Sequence, residues 1–119
     1  MAIYKSKITG FGEMALDFLD EEFLIIFNNN APAELADLSV LHEKADVARD
    51  VKVGDKVKLG KYDYVVTAVG SEANDTLMLL GHASLVFKGA DAVELPGQFM
   101  LKGDELPRDL KEGDYIIIE

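Results

Sequence analysis

His42 and His82 carry the chemistry this chain has to offer. With no cysteine among 119 residues, imidazole is the best available nucleophile, because an ordinary pKa of about 6.5 leaves one ring nitrogen bare near neutral pH. His42 follows Val40 and Leu41 and precedes Glu43 and Lys44. It is therefore expected at a strand end, on a rim that solvent and partners reach. His82 follows Gly81 and opens an apolar segment. Each also has a plainer reading, as a structural histidine whose ring nitrogens are satisfied by backbone or a carboxylate. Gly70 and Ser71 stand where a strand pattern gives way to a helix pattern, and free N–H groups at a helix start can hold a phosphate. The plainer reading there is an ordinary N-cap, and Glu72 and Asp75 would repel an anion.

Other chemistries lack their residues. Two histidines and no cysteine supply neither a thiolate zinc site, an iron–sulfur cluster, a disulfide framework nor a His-rich metal site. No phosphate-binding loop, dinucleotide fingerprint or G-x-S-x-G elbow is present; Gly10-Phe11-Gly12 lacks the third glycine. Asp20-Glu21-Glu22 reads as a solvated acidic cluster rather than an acid/base pair. Twelve Lys and Arg stand against 22 Asp and Glu, a net charge of −10, which argues against a nucleic-acid backbone or an anionic membrane surface as partner. The chain is 49% hydrophobic, enough for a core, so the acidity is not that of a disordered tail. No signal-peptide pattern follows Met1, and the apolar run Phe23 to Phe27 is far short of the roughly 20 residues of a membrane span. A soluble cytoplasmic protein is expected.

The elements that must position these residues are short. Strands are expected at 2–9, at Phe23 to Phe27 and at Ser39 to Leu41, the last delivering His42. Val51 to Leu59 alternates, Gly60-Lys61 turns, and Lys61 to Val69 returns as a β-branched and aromatic strand. Further strands are expected at His82 to Phe87, Gly97 to Leu101 and Tyr115 to Ile118. A short helix or turn is expected at Glu13 to Glu21, and short helices at Pro32 to Leu38 and after Ser71 as N-cap, the last stopped by Gly81. The apolar stretch Leu77 to Leu80 is assigned to the core. Val51-Lys-Val-Gly-Asp-Lys-Val57 is echoed by Leu110-Lys-Glu-Gly-Asp-Tyr-Ile116, a Gly-Asp turn feeding a strand each time. Together these give one mostly-β domain over 1–119, a small barrel or sandwich with one or two short helices. Exposed strand edges leave a homodimer open.

The order of segments is more specific than any one motif. Ala31-Pro-Ala-Glu-Leu-Ala-Asp37, His42, Val66-Thr-Ala-Val-Gly-Ser71, Asn74-Asp-Thr-Leu77, Leu80-Gly-His82, Phe87 and Glu94-Leu-Pro-Gly97 occur as one ordered set. This set resembles the glucitol/sorbitol-specific enzyme IIA component of the bacterial phosphoenolpyruvate-dependent sugar phosphotransferase system, over nearly the whole chain. The resemblance implies a cytoplasmic phosphocarrier without cofactor or metal. It implies that a histidine takes a phosphoryl group from the phosphocarrier protein HPr and passes it to the IIB component of the IIB/IIC sugar permease, which phosphorylates sorbitol on entry. The matching histidine is His42, and His82 becomes a candidate supporting residue. Members can carry a second histidine two positions on, where this chain has Lys44. Gly70, Ser71 and Gly81 are candidates for stabilising phosphoryl oxygens through backbone N–H groups. An apolar rim of Val40 and Leu41 neighbours would meet both partners, and the acidic surface either complements a basic face on HPr or serves solubility alone. The competing reading is a non-catalytic small β-barrel that binds a ligand or regulates a partner.

Overall fold

Alternation of apolar and polar residues with period two forces these strands to hide one face, and eight of them do so by closing on themselves. The computed structural model describes residues 2–119. Its strands are β1 (Tyr4–Phe11), β2 (Phe23–Asn28), β3 (Val40–His42), β4 (Lys56–Leu59), β5 (Tyr62–Val69), β6 (Ala83–Val86), β7 (Gln98–Lys102) and β8 (Tyr115–Ile118). Two helices, α1 (Ala33–Ala36) and α2 (Ala73–Leu80), complete the elements with a 3₁₀ turn at Asp17–Glu21. The strands form a closed barrel in the order β1-β3-β2-β6-β7-β5-β4-β8. Closure leaves no edge among the described strands for the pairing that would have built a dimer.

In β1 the inward residues are Tyr4, Ser6 and Ile8, while Lys5, Lys7 and Thr9 face solvent. Leu24, Ile26, Val40, Leu59, Val66, Leu85, Leu101, Ile116 and Ile118 fill the interior. Most neighbours are antiparallel, but β2–β3 and β6–β7 run parallel. A parallel pair needs a crossover, and α1 lies within the β2–β3 crossover. That pairing sets Ile26 opposite Val40 and Asn28 opposite His42.

The turns follow the sequence closely. β4 and β5 are joined by Gly60 and Lys61, with Leu59 opposite Tyr62 and Gly60 at φ +58°. The internal echo is a repeated turn: Asp55 accepts the Lys52 N–H at 2.7 Å and Asp114 accepts the Lys111 N–H at 3.0 Å. Their strands, β4 and β8, are barrel neighbours.

Of the two readings of Glu13 to Glu21, the structure shows a short 3₁₀ turn at Asp17–Glu21. Three expectations are corrected. The second helix spans Ala33–Ala36 with Pro32 at its N-cap, shorter than Pro32 to Leu38. The N-cap of α2 is Glu72, not Ser71: the chain enters it tied to the β7 approach, with the Gly70 and Glu72 N–H groups donating to the Gln98 and Pro96 carbonyls. Only Ala73 and Leu77 of α2 are buried, while Met78, Leu79 and Leu80 are exposed.

Candidate functional site

β3 ends on His42, and the barrel closes over it. The ring is fully buried, at 0% exposure, which corrects the expected position on an open rim. The cause is long-range: β1 pairs with β3 and lays Tyr4 and Ser6 against the ring from 38 and 36 residues away. Nδ1 lies 2.9 Å from Ser6 Oγ, 3.0 Å from the Glu43 carbonyl and 3.4 Å from Tyr4 Oη. Nε2 lies 2.8 Å from the Gly81 carbonyl. Tyr4 also meets the ring edge-on, centroids 6.1 Å apart.

Two carbonyls thus flank one imidazole, and a neutral ring has a single N–H to give them. With the proton on Nε2 it donates to Gly81, and Nδ1 accepts from the Ser6 or Tyr4 hydroxyl. With the proton on Nδ1 it donates to Glu43, the Ser6 hydroxyl turns its own proton to the same carbonyl, and Nε2 is bare. The resting geometry at Gly81 fits the tautomer with its proton on Nε2; the Nδ1–H tautomer is satisfied at Glu43 but needs the Gly81 carbonyl to move away from the bare Nε2.

Burial lowers the His42 pKa, against the opposing pull of its hydrogen bonds to the Gly81 and Glu43 carbonyls. Tyr4 is pushed up to about 12 by burial and stays neutral beside it. A folded-state value below the unfolded one of about 6.5 means the unfolded chain binds the extra proton first, so this contribution to stability is present above pH ~6.5 and declines as pH falls below it. The unfolding free energy from denaturant titration is expected to drop between pH 7.5 and 5.5 with a slope of at most about 1.4 kcal/mol per pH unit from this group, and the drop should be smaller in His42→Gln. Equal drops in both proteins would remove His42 as the cause.

His82 occupies different ground. Its Nδ1–H donates to the Ile26 carbonyl at 3.1 Å and its ring packs on Phe27 with centroids 4.7 Å apart. Alternation along β2 puts Phe27 on the face opposite Ile26 and Asn28. The two histidines therefore lie on opposite faces of β2, linked through the Gly81–His82 peptide. His82 holds from behind the residue whose carbonyl meets His42.

The other candidates separate likewise. Gly81, in the left-handed region at φ +61°, ends α2 beside His42. Its N–H donates to Leu77 and that of Gly70 to Gln98, so both groups are already engaged. Gly70 and exposed Ser71 lie at the far end of α2, an eight-residue helix about 12 Å long. Val40 is buried, so the apolar surface beside the site comes instead from Met78, Leu79 and Leu80. Asn28, just past the expected strand Phe23 to Phe27, packs 7% exposed at the end of β2, in register with His42. A groove of about 430 Å³ across β4, β5, β7 and β8 is lined by Lys56, Lys58 and Lys102 but by none of these residues.

The same barrel occurs in a solved structure, the PTS system IIA component from Enterococcus faecalis V583, with a TM-score of 0.81, 27% identity, and coverage of 94% of this chain and 96% of that one. The fold is that of a phosphotransferase-system IIA component. Residues 3–117 match the family model for the PTS system glucitol/sorbitol-specific IIA component. Glucitol/sorbitol-specific EIIA components from Escherichia coli K12 and Shigella flexneri are each 37% identical over 117 residues, covering 98% of this chain and 94% of theirs. The chain belongs to the glucitol/sorbitol-specific IIA component family, phosphocarriers of the sugar phosphotransferase system.

Proposed function

We propose that His42 is the phosphoryl acceptor, taking the group from phospho-HPr and passing it to the IIB component of a sorbitol permease, as one cytoplasmic phosphocarrier domain over 1–119. The observation that carries this reading is the pairing of His42 with two carbonyls. At rest Nε2–H can donate to Gly81; for attack the proton moves to Nδ1, where the Glu43 carbonyl accepts it, and Nε2 gains its lone pair as the Gly81 contact is released. Nδ1 is walled in by Tyr4, Ser6 and Glu43, whereas Nε2 faces only the Gly81 carbonyl at the end of α2. Attack therefore comes from Nε2, once the Gly81 carbonyl gives way. The P–N bond to the donor imidazole breaks as the bond to Nε2 forms, the electron pair stays with the donor ring, and each ring keeps one proton on its other nitrogen. Little covalent help is needed beyond alignment and charge stabilisation.

Met78, Leu79 and Leu80, at 60%, 68% and 46% exposure, give the incoming HPr an apolar surface immediately before Gly81. The net charge of −10 favours encounter with a carrier whose docking face is basic. His82 is a positioning residue here, fixing the Gly81–His82 peptide through Ile26 and Phe27. Gly81 contributes through its carbonyl and its conformation rather than its N–H.

The test is labelling with phosphoenolpyruvate, enzyme I and HPr. An acid-labile, alkali-stable label is expected, mapped to His42 Nε2 by ³¹P–¹H NMR. His82→Ala should still take the label, several-fold more slowly. A protein that takes no label from active phospho-HPr would be the non-catalytic binding module, and a label lost only in His82→Ala would move the acceptor there.

A further inference from the structure

Asn28 presents at this site a side-chain oxygen that has no use in the resting fold. It is only 7% exposed, yet its Oδ1 is buried without a hydrogen-bond partner, the only such side-chain atom among the described residues. A buried amide oxygen without a partner costs about 1–3 kcal/mol, and folded proteins keep few of them. The neighbouring Asn29 could end the strand as well, so turn formation does not account for burying the amide.

Its placement does. Asn28 sits opposite His42 in the parallel β2–β3 pairing, so both side chains leave the sheet on the same face. Both also meet Gly81: a Cβ built there would lie 2.0 Å from Asn28 Oδ1 and 2.8 Å from His42 Cε1. The carboxamide and the Cε1 edge of the imidazole thus converge on one glycine. That edge adjoins Nε2, where the phosphoryl group would be bound. Rotation about the terminal torsion exchanges the amide's oxygen and nitrogen with little change of shape.

We propose that Asn28 is a catalytic residue of phosphoryl transfer: its Nδ2 amide donates to a non-bridging oxygen of the phosphoryl group on His42, in the transition state and in the phosphorylated protein. This rests on His42 being the acceptor. Asn28 neither gains nor loses a proton; it supplies a neutral donor where charge collects on the equatorial oxygens. A neutral donor also suits a carrier that must release the group again, since a buried cation would hold it more strongly.

The test uses Asn28→Asp, which keeps the shape and replaces the donor with a negative oxygen, and Asn28→Ala, which removes both. Loss of one such donor typically costs about 10²–10³-fold in rate. Single-turnover transfer from phospho-HPr is expected to slow about 10²-fold in Asn28→Ala and more in Asn28→Asp, while the Kd for unphosphorylated HPr stays within about twofold of wild type, as expected when only charge stabilisation is lost. In the wild-type protein, the Asn28 side-chain amide ¹H and ¹⁵N resonances should move on phosphorylation and return on transfer to IIB. This reading survives any folding defect in the variants. Wild-type transfer rates in both variants, or amide resonances unmoved by phosphorylation, would overturn the role of Asn28 while leaving His42 in place. Absence of any label on wild-type His42 would overturn the underlying reading instead.

Discussion

His42→Gln is expected to bring label from phospho-HPr down to background while the barrel still folds. No other side chain meets the requirements for accepting the group at this position. Tyr4 Oη lies 3.4 Å from the ring, and with its pKa pushed up to about 12 by burial it carries almost no phenolate at neutral pH. Ser6 turns its hydroxyl to the Glu43 carbonyl or His42 Nδ1, with no base left once the ring is gone. Glutamine is the informative replacement because its amide can still donate to the Gly81 carbonyl, which His42 Nε2 reaches at 2.8 Å. The expected stability cost is therefore about 1–2 kcal/mol, against about 2–4 kcal/mol for His42→Ala, which empties a fully buried site and orphans that carbonyl. Label counting and thermal melts on the two variants separate chemistry from folding. Both should be dead as carriers, and the glutamine protein should melt several degrees higher. Label retained by a well-folded glutamine variant would place the acceptor elsewhere.

That experiment also bears on what was readable in the amino acids. The strands were legible because period-two alternation and turn glycines act locally: Lys61 to Val69 could hardly be anything but a strand, and Gly60 and Gly81 both adopt the positive φ their positions suggested. The ordered set from Ala31 to Gly97 carried the family. Burial of His42 had no local sign, since the residues that cover it belong to β1 and arrive through barrel closure. Asn28 was hidden for the same reason; its tie to His42 is a register across a parallel pair, not a spacing. The α2 tip was different, because the sequence did hold the signal. Three consecutive residues on a helix sweep about 200°, so Met78, Leu79 and Leu80 could not all face the sheet that Ala73 and Leu77 face. Apolar composition alone had assigned them to the core.

Gly81→Ala should damage transfer more than any substitution outside His42, for two reasons that act at one atom. The first is conformational. At φ +61° an alanine pays about 1–2 kcal/mol that glycine does not. The second is space: the new methyl would lie 2.0 Å from Asn28 Oδ1, 2.6 Å from Asn28 Cγ and 2.8 Å from His42 Cε1. Neither neighbour can step aside cheaply, since both are buried and His42 is held on both ring nitrogens. Overpacking of this kind costs about 1–3 kcal/mol. The sum, about 2–5 kcal/mol, corresponds to a fall in Tm on the order of 10 °C for a domain of this size. The larger effect is on function, because the methyl occupies the space between the amide and the imidazole edge where the phosphoryl group would sit. At a temperature where the variant is fully folded, single-turnover transfer is expected to fall at least 10²-fold, roughly the loss of a phosphoryl-oxygen donor, with further loss from displacement of the acceptor ring. Circular dichroism melts and rapid-quench labelling read the two effects separately. A variant that melts early but transfers at the wild-type rate would show that this glycine serves only to end α2, and that the phosphoryl group approaches His42 from another side.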